Sequence, residues 1–354
     1  MRTPLLVSSL LLLLFCLLRG CSGDNPQIAK RYVVDLDMDP EKRWEHVVKD
    51  YTALVPSLKN AILHFIPEDL VGVAEYIGSA LDTYLPQPYA AEMRGISSSF
   101  NISLGEVVLL NIAYDFSAFC TSIVAQNENG TIYHGRNLDY GVTSLLRKIT
   151  IVVEFQRKQK TIYMGTTYVG YVGLMTGQKP NAFTVSLDER DKGTIWMNLL
   201  SFLLDGGQFA SFLLRDTLAE DGMTYARALS KLANTSVIAP SYVIIGGIGP
   251  GEGAVITRGR DKAIDVWHLN AADHRWYLLE TNYDHWTTPS PSDDRRDPGI
   301  ALMNKVGQAN ISPAELFKVL STAPVLNNST TYTTIMSAAH PDIYQAWIRH
   351  PSVA

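Results

Sequence analysis

The strongest constraint on the fold is a change of periodicity at Cys120. Up to Phe119 the apolar residues recur at helical spacing; beyond it they alternate and are interrupted by hairpin signals. In the first region Asp39-Pro40 is expected to cap a helix carrying Trp44, Val47, Val48, Tyr51, Leu54 and Val55, which Pro56 should kink or end. A second helix is expected over 58–65. A third follows Pro67, with Leu70, Val71, Ala74, Ile77 and Leu81 on one face. Ser103-Leu104-Gly105-Glu106 is a capping box ahead of Val107-Val108-Leu109-Leu110.

In the second region strands are expected over 120–126 and 131–136, joined by the hairpin turn Asn129-Gly130. Further strands are expected over 149–155, 161–165 and 182–187. Two apolar helices, 196–204 and 209–218, are split by Asp205-Gly206-Gly207, and 226–232 continues helically. Strands return over 242–245, 254–257, 264–268 and 275–280, Ser312-Pro313 caps a late helix, and 332–337 is a late strand. Residues 289–298 read as a polar, proline-rich loop. This order predicts an α+β chain with a pair of antiparallel sheets covered by helices, not alternating parallel units.

The cysteines narrow the chemistry. Of the 3 cysteines, Cys16 and Cys21 lie in or beside an apolar N-terminal run. Arg2, the stretch Leu5 to Leu18 and Cys21-Ser22-Gly23 predict a secretory signal over 1–23, removed on export. An uncleaved anchor is the rival, but the run is short and Arg19 ends it. Removing 23 of 354 residues leaves 331 with one thiol, at the head of a strand. Asn-x-Ser/Thr sequons begin at Asn101, Asn129, Asn234, Asn310, Asn327 and Asn328, which together with the leader predict a glycosylated product of the secretory pathway. A lone thiol on that route is a liability unless it is buried or needed. The composition is otherwise ordinary, 46% hydrophobic and 18% charged, and a net charge of −5 without a basic run argues against nucleic acid.

Several chemistries fit poorly. The papain-type context around Cys120 is missing, no Gly-x-Ser-x-Gly occurs, and the 8 histidines show no metal-binding spacing, so neither metal nor cofactor is expected. An N-terminal nucleophile remains. Cleavage before Cys120 would free an α-amine of unperturbed pKa about 7.7–8.0, a base beside its own thiol. The residues alone leave Cys120 between this role and that of a buried filler. By themselves Arg136 and Asp139 read as a structural ion pair, Asn282 as a turn residue, Glu189 as part of a solvated charged loop, and His134 as solvent-facing or packed on its strand.

Phe119-Cys120-Thr121-Ser122-Ile123-Val124-Ala125, followed by His134-Gly135-Arg136-Asn137-Leu138-Asp139-Tyr140-Gly141, resembles the acid ceramidase-like family of N-terminal nucleophile hydrolases, which holds the N-acylethanolamine-hydrolysing acid amidases. Asp188-Glu189-Arg190-Asp191 and Glu280-Thr281-Asn282-Tyr283-Asp284-His285-Trp286 extend the likeness over nearly the whole mature chain. The resemblance implies a four-layer αββα sandwich with an added helical N-terminal chain. It implies self-cleavage of the Phe119–Cys120 bond into chains 24–119 and 120–354 that stay together as a heterodimer. It makes Cys120 the nucleophile, pairs Arg136 and Asp139 beside it, lets Asn282 polarise the substrate carbonyl, and gives Glu189 a supporting role. The implied substrates are lipid amides such as N-acylethanolamines, hydrolysed in the lysosome at a membrane surface. On this reading Arg136 should lower the Cys120 pKa toward thiolate.

The helices near Trp196 carry a separate expectation. Trp196, Phe202, Phe209 and Leu213 are either core residues or a face that docks on lipid or lines an acyl-chain groove. The competing functional classes are a hydrolase of ceramide or another lipid amide, and a non-enzymatic glycosylated lipid-binding protein.

Overall fold

The computed structural model describes residues 24–65, 68–114, 118–190, 208–289 and 293–351. The chain enters through two strands, β1 (Gln27–Ile28) and β2 (Lys30–Asp35). Six helices follow: α1 (Glu45–Lys49), α2 (Val55–Phe65), α3 (Glu68–Ser79), α4 (Leu81–Tyr84), α5 (Tyr89–Phe100) and α6 (Leu104–Tyr114). Local chemistry sets their ends. Asp39 Oδ1 accepts from the Glu41 N–H ahead of a short 3-10 turn, and Pro56 sits in the first turn of α2, where no N–H is needed. Pro56 therefore starts a helix where the sequence suggested it would stop one. The capping box closes as expected: Glu106 Oε2 accepts from Ser103 N–H at 2.7 Å and Ser103 Oγ from Glu106 N–H at 3.1 Å.

From Ala118 the chain becomes sheet. β3 (Ala118–Gln126) and β4 (Ile132–Tyr140) form the expected hairpin. Gly130 in its turn has φ +86°, and a Cβ there would meet Pro250 Cγ at 2.6 Å. Then come α7 (Thr143–Ile149), β5 (Thr150–Arg157), β6 (Lys160–Tyr168), β7 (Thr176–Lys179) and β8 (Phe183–Glu189). The second half holds α8 (Ala210–Ala219), α9 (Tyr225–Asn234), β9 (Ser241–Gly246), β10 (Gly253–Arg258), β11 (Ala263–His268) and β12 (Tyr277–Glu280). It ends with α10 (Arg296–Val306), α11 (Pro313–Leu320), β13 (Thr330–Met336) and β14 (Tyr344–Ile348).

Two sheets result, in the orders β1-β14-β13-β4-β3-β12 and β11-β10-β9-β8-β7-β6-β5-β2. All pairings are antiparallel except β2 with β5. The sheets face one another through β3, β4, β8 and β9. Helices α10 and α11 cover the outer face of the first sheet, and α8 and α9 that of the second. This is the αββα arrangement, and it explains why β4 is buried along almost its whole length: both faces are covered.

The segment before Cys120 is woven into this core. β1 edges one sheet against β14 and β2 edges the other against β5. Glu92 of α5, wholly buried, takes a bidentate ion pair from Arg215 of α8 (2.6 and 2.8 Å) and further donors from Arg43 and Trp44.

Of the residues expected on a lipid-docking face, Trp196 and Phe202 lie outside the described residues. Phe209 and Leu213 are 3% and 1% exposed, packed in the main core, with Phe209 5.2 Å from the Phe212 ring. That corrects their assignment to an exposed face: the apolar side of α8 is turned onto the second sheet. Among the described residues no helix is long and apolar enough to cross a membrane.

Candidate active site

The pleat of the β3–β4 hairpin assembles the site. Ser122 lies opposite Arg136, and Cys120 two residues before Ser122 shares its face, turned between the sheets. Cys120 is fully buried, and its Sγ accepts from Arg136 Nη2 at 2.8 Å. Arg136 is itself buried and is fixed by the Met175 carbonyl (2.7 Å), Thr176 Oγ1 (2.6 Å) and the Leu187 carbonyl (3.0 Å). Asp139 lies opposite Phe119 and so projects to the other face, beside the Cys120 main chain.

Asn282 follows β12 and reads that main chain directly. Its Oδ1 accepts from the Cys120 N–H at 3.0 Å and from Arg295 Nη2 at 2.8 Å, while its Nδ2 donates to the Glu189 carbonyl at 2.8 Å. Because both partners of Oδ1 are donors, the amide orientation is fixed by the network. The Asp188–Arg190 and Glu280–Trp286 stretches are tied to each other by a two-bonded Arg190–Asp284 pair at 2.7 and 2.9 Å.

Electrostatics correct one expectation. Burial pushes the Cys120 thiol well up from its ordinary value; Arg136 opposes this, and Asp188 and Asp139 add to it. Arg136 thus acts in the expected direction but loses to desolvation, and the thiol is the favoured form in the uncut chain. Burial also raises Asp139, against Arg295, Thr330 and Asn327. It carries Asp188 up to about 7 against Arg136 and Ser122. Glu280 is raised by burial and by its neighbour Asp188.

Glu189 contributes its main-chain carbonyl to Asn282, and its side chain is half-buried. Asp188 is the residue of this strand whose carboxyl enters the inter-sheet space, with Oδ1 accepting from Ser122 Oγ at 2.8 Å and lying 3.9 Å from Arg136. Neighbouring strand residues point to opposite faces, so the carboxyl beside Cys120 belongs to Asp188, one position before the Glu189 to which the resemblance gives a supporting role. His134 does not face solvent. It is buried and hydrogen-bonded to Thr184 (3.0 Å) and Ser186 (2.9 Å), and burial holds it neutral, with a pKa of about 3.

Arg295 was not foreseen, because 289–298 reads as a loop. Its guanidinium donates to the Cys120 carbonyl at 2.7 Å, Asp139 Oδ2 at 3.3 Å and Asn282 Oδ1 at 2.8 Å, and Asp293 holds it from behind. The only hint in the sequence is the charge run Asp293-Asp294-Arg295-Arg296. A small cavity of about 30 Å³ adjoins the site, lined by Met175, Leu187, Asp188, Glu189, Phe209 and Ile238 among others. Among the described residues no group of three His, Cys, Asp or Glu is placed to hold a metal.

A buried thiol flanked by a guanidinium, with an amide and a second arginine on its own backbone, is built for acyl transfer. Comparison with known proteins agrees. The family model "Linear amide C-N hydrolases, choloylglycine hydrolase family" matches residues 120–297, beginning at Cys120 itself. That of the "beta subunit of N-acylethanolamine-hydrolyzing acid amidase" matches 27–85. The Mus musculus N-acylethanolamine-hydrolyzing acid amidase is 45% identical over 97% of this chain and 96% of its own. The chain belongs to the N-acylethanolamine-hydrolyzing acid amidase family. It is accordingly an amide hydrolase, and a non-enzymatic lipid carrier is set aside. Acid ceramidase of Pan troglodytes is 39% identical over 86% of this chain and 82% of its own. The solved structure of a Caenorhabditis elegans N-acylethanolamine-hydrolyzing acid amidase ortholog is 41% identical, covers 65% of this chain and 99% of that one, and superposes with a TM-score of 0.59.

Proposed function

We propose that this enzyme hydrolyses N-acylethanolamines such as palmitoylethanolamide to fatty acid and ethanolamine, after cleaving its own Phe119–Cys120 bond. The observation that carries this reading is the Cys120 N–H held by Asn282 Oδ1 at 3.0 Å. The nitrogen that becomes an α-amine on cleavage is already seated in the site. The family match that starts at Cys120 supports the same cut.

In the cleavage, Cys120 Sγ attacks the Phe119 carbonyl carbon, its proton passes to the departing Cys120 nitrogen, and water hydrolyses the thioester. The freed amine then acts as the base for the substrate reaction. Sγ adds to the amide carbonyl, the amide nitrogen of Asn282 donates to the oxyanion, ethanolamine leaves protonated, and water releases the acid. The apolar lining made by Leu187, Phe209 and Ile238 is the proposed seat of the first carbons of the acyl chain, so Phe209 serves as a wall beside the site and not as a docking residue.

We place the enzyme in the lysosome, reached by secretion and supplied with substrate from lipid surfaces. The buried carboxyls support an acidic setting. Asp139, Asp188 and Glu280 all have raised pKa values in the fold, so they bind protons more tightly folded than unfolded, and they favour the folded state as pH falls. The segment 24–119 stays bound as the second chain, held by two strands and the Glu92–Arg215 pair.

N-terminal sequencing of the acid-treated protein tests the reading. A new terminus at Cys120, absent in Cys120→Ala, is expected; an intact wild-type chain that hydrolyses palmitoylethanolamide would refute self-cleavage. The likeness to acid ceramidase favours ceramide as the second substrate to profile.

A further inference from the structure

Asn327-Asn328-Ser329-Thr330 contains two overlapping glycosylation sequons, and the fold treats them differently. Asn328 is exposed, whereas Asn327 is half-buried and turned inward. Asn327 Nδ2 donates to Asp139 Oδ2 at 2.8 Å, and its Oδ1 accepts from the Ser329 N–H at 2.9 Å. Its main chain closes on Thr330 in both directions: Asn327 N–H to Thr330 Oγ1 at 3.1 Å, and Thr330 N–H to the Asn327 carbonyl at 2.9 Å. Thr330 is the register partner of Asp139, so this short loop is keyed onto the end of β4.

We propose that Asn327 is a positioning residue that holds the Asp139 carboxylate beside the Cys120 main chain, and that only Asn328 of the overlapping pair accepts a sugar. The proposal rests on the amidase and secretory readings above. Asp139 is 1% exposed. Oδ2 is fixed by Asn327 and by Arg295 at 3.3 Å, the Thr330 side chain also favours the carboxylate, and Oδ1 is buried without a well-placed hydrogen-bond partner in the uncut chain. An unpaired buried carboxylate oxygen costs free energy unless a donor arrives, and the ammonium released at Cys120 is such a donor. Asn327 therefore occupies Oδ2 and leaves Oδ1 of Asp139 for the chemistry. The nitrogen that glycosylation would substitute is the one bonded to Asp139. A bulky sugar on it cannot fit between the loop and β4, whereas Asn328 offers the surface position that such a modification requires.

The charged groups that face Asp139 are Arg295, Arg136 through the strand, Arg349 beyond β14, and the Cys120 terminus after cleavage. Removing the Asn327 donor disfavours the carboxylate and raises its pKa, so activity is lost at a higher pH on acidification. The test is the pH profile of palmitoylethanolamide hydrolysis by the processed enzyme, with glycopeptide mapping of residues 327 and 328. Asn327→Ala is expected to lower kcat roughly tenfold with KM little changed, and to move the acid limb up by about one pH unit. Asn327→Asp, nearly isosteric and so the variant that keeps the fold, should move it further by like-charge repulsion. Asn328→Gln should lose the sugar and keep full activity. Wild-type enzyme inactive on every lipid amide would refute the reading on which the proposal rests. Active wild type with superimposed profiles for both Asn327 variants, or a sugar on Asn327 in active enzyme, would overturn the proposal alone.

Discussion

Arg295 touches three groups of the site with one planar cation: the Cys120 carbonyl, Asp139 and Asn282. A lysine has one ammonium and cannot span them. Arg295→Lys is therefore expected to slow self-cleavage by roughly 10²-fold or more, read as the fraction of split chain over time. Asp188 gives a prediction about stability. Its carboxyl, normally near 3.8, is raised to about 7 by burial. It binds its proton more tightly in the fold, so it costs stability as pH rises from about 4 to 7. Asp188→Asn removes that cost, and its Tm relative to wild type should climb over this window. A constant difference between pH 4 and 7.5 would contradict the assignment. At this scale the family resemblance singled out Cys120, Arg136, Asp139 and Asn282, and the fold brings these four together. The sequence could not show Arg295, which sits in a charged loop without periodicity, nor that the carboxyl of Asp188 faces Cys120, because strand facing is decided by register.

Elements with their own chemical punctuation were legible. The Ser103–Glu106 box, the Ser312 cap and the Asn129-Gly130 hairpin all lie where the residues put them. Ser103→Ala is expected to cost about 1 kcal/mol, measurable as a shift in the urea midpoint. Gly130→Ala should cost more, since a left-handed φ and contact with Pro250 act together. Elements defined only by distant partners were not legible. β1 has two residues and exists because β14 lies beside it, and β2 pairs with a strand 121 positions on, as Lys30 with Ile151. α10 begins inside the stretch that proline and charge marked as loop, because Asp284 and Asp293 hold Arg295 and Arg296 from outside it.

For the whole molecule, the buried Glu92–Arg215 pair ties the segment before Cys120 to the helices and sheets after it, and the proposed cut would make it a contact between two chains. Arg215 also stacks over Phe155 at 4.7 Å, so it cannot turn to solvent when its partner is lost. Glu92→Ala should destabilise by roughly 3–5 kcal/mol, and after cleavage it should let the 24–119 chain separate on gel filtration. Wild type should stay together without any disulfide, since Cys120 is the free cysteine among the described residues.

Asp24 and Arg349 form a 2.6 Å ion pair, and Asp24 also accepts from the His350 N–H at 2.8 Å. The two ends of the described chain thus meet on one side, while the proposed cut lies elsewhere. In the proposed processed molecule one chain runs from Cys120 toward residue 351 and the other from residue 24 to 119, and this contact sets the end of the first beside the start of the second. A circular permutant with a short bridge at the old ends would be born in this order, needing only removal of its initiator methionine to expose Cys120. If it hydrolyses lipid amides, cleavage serves solely to make a terminus, and the original order of the gene is incidental to the chemistry.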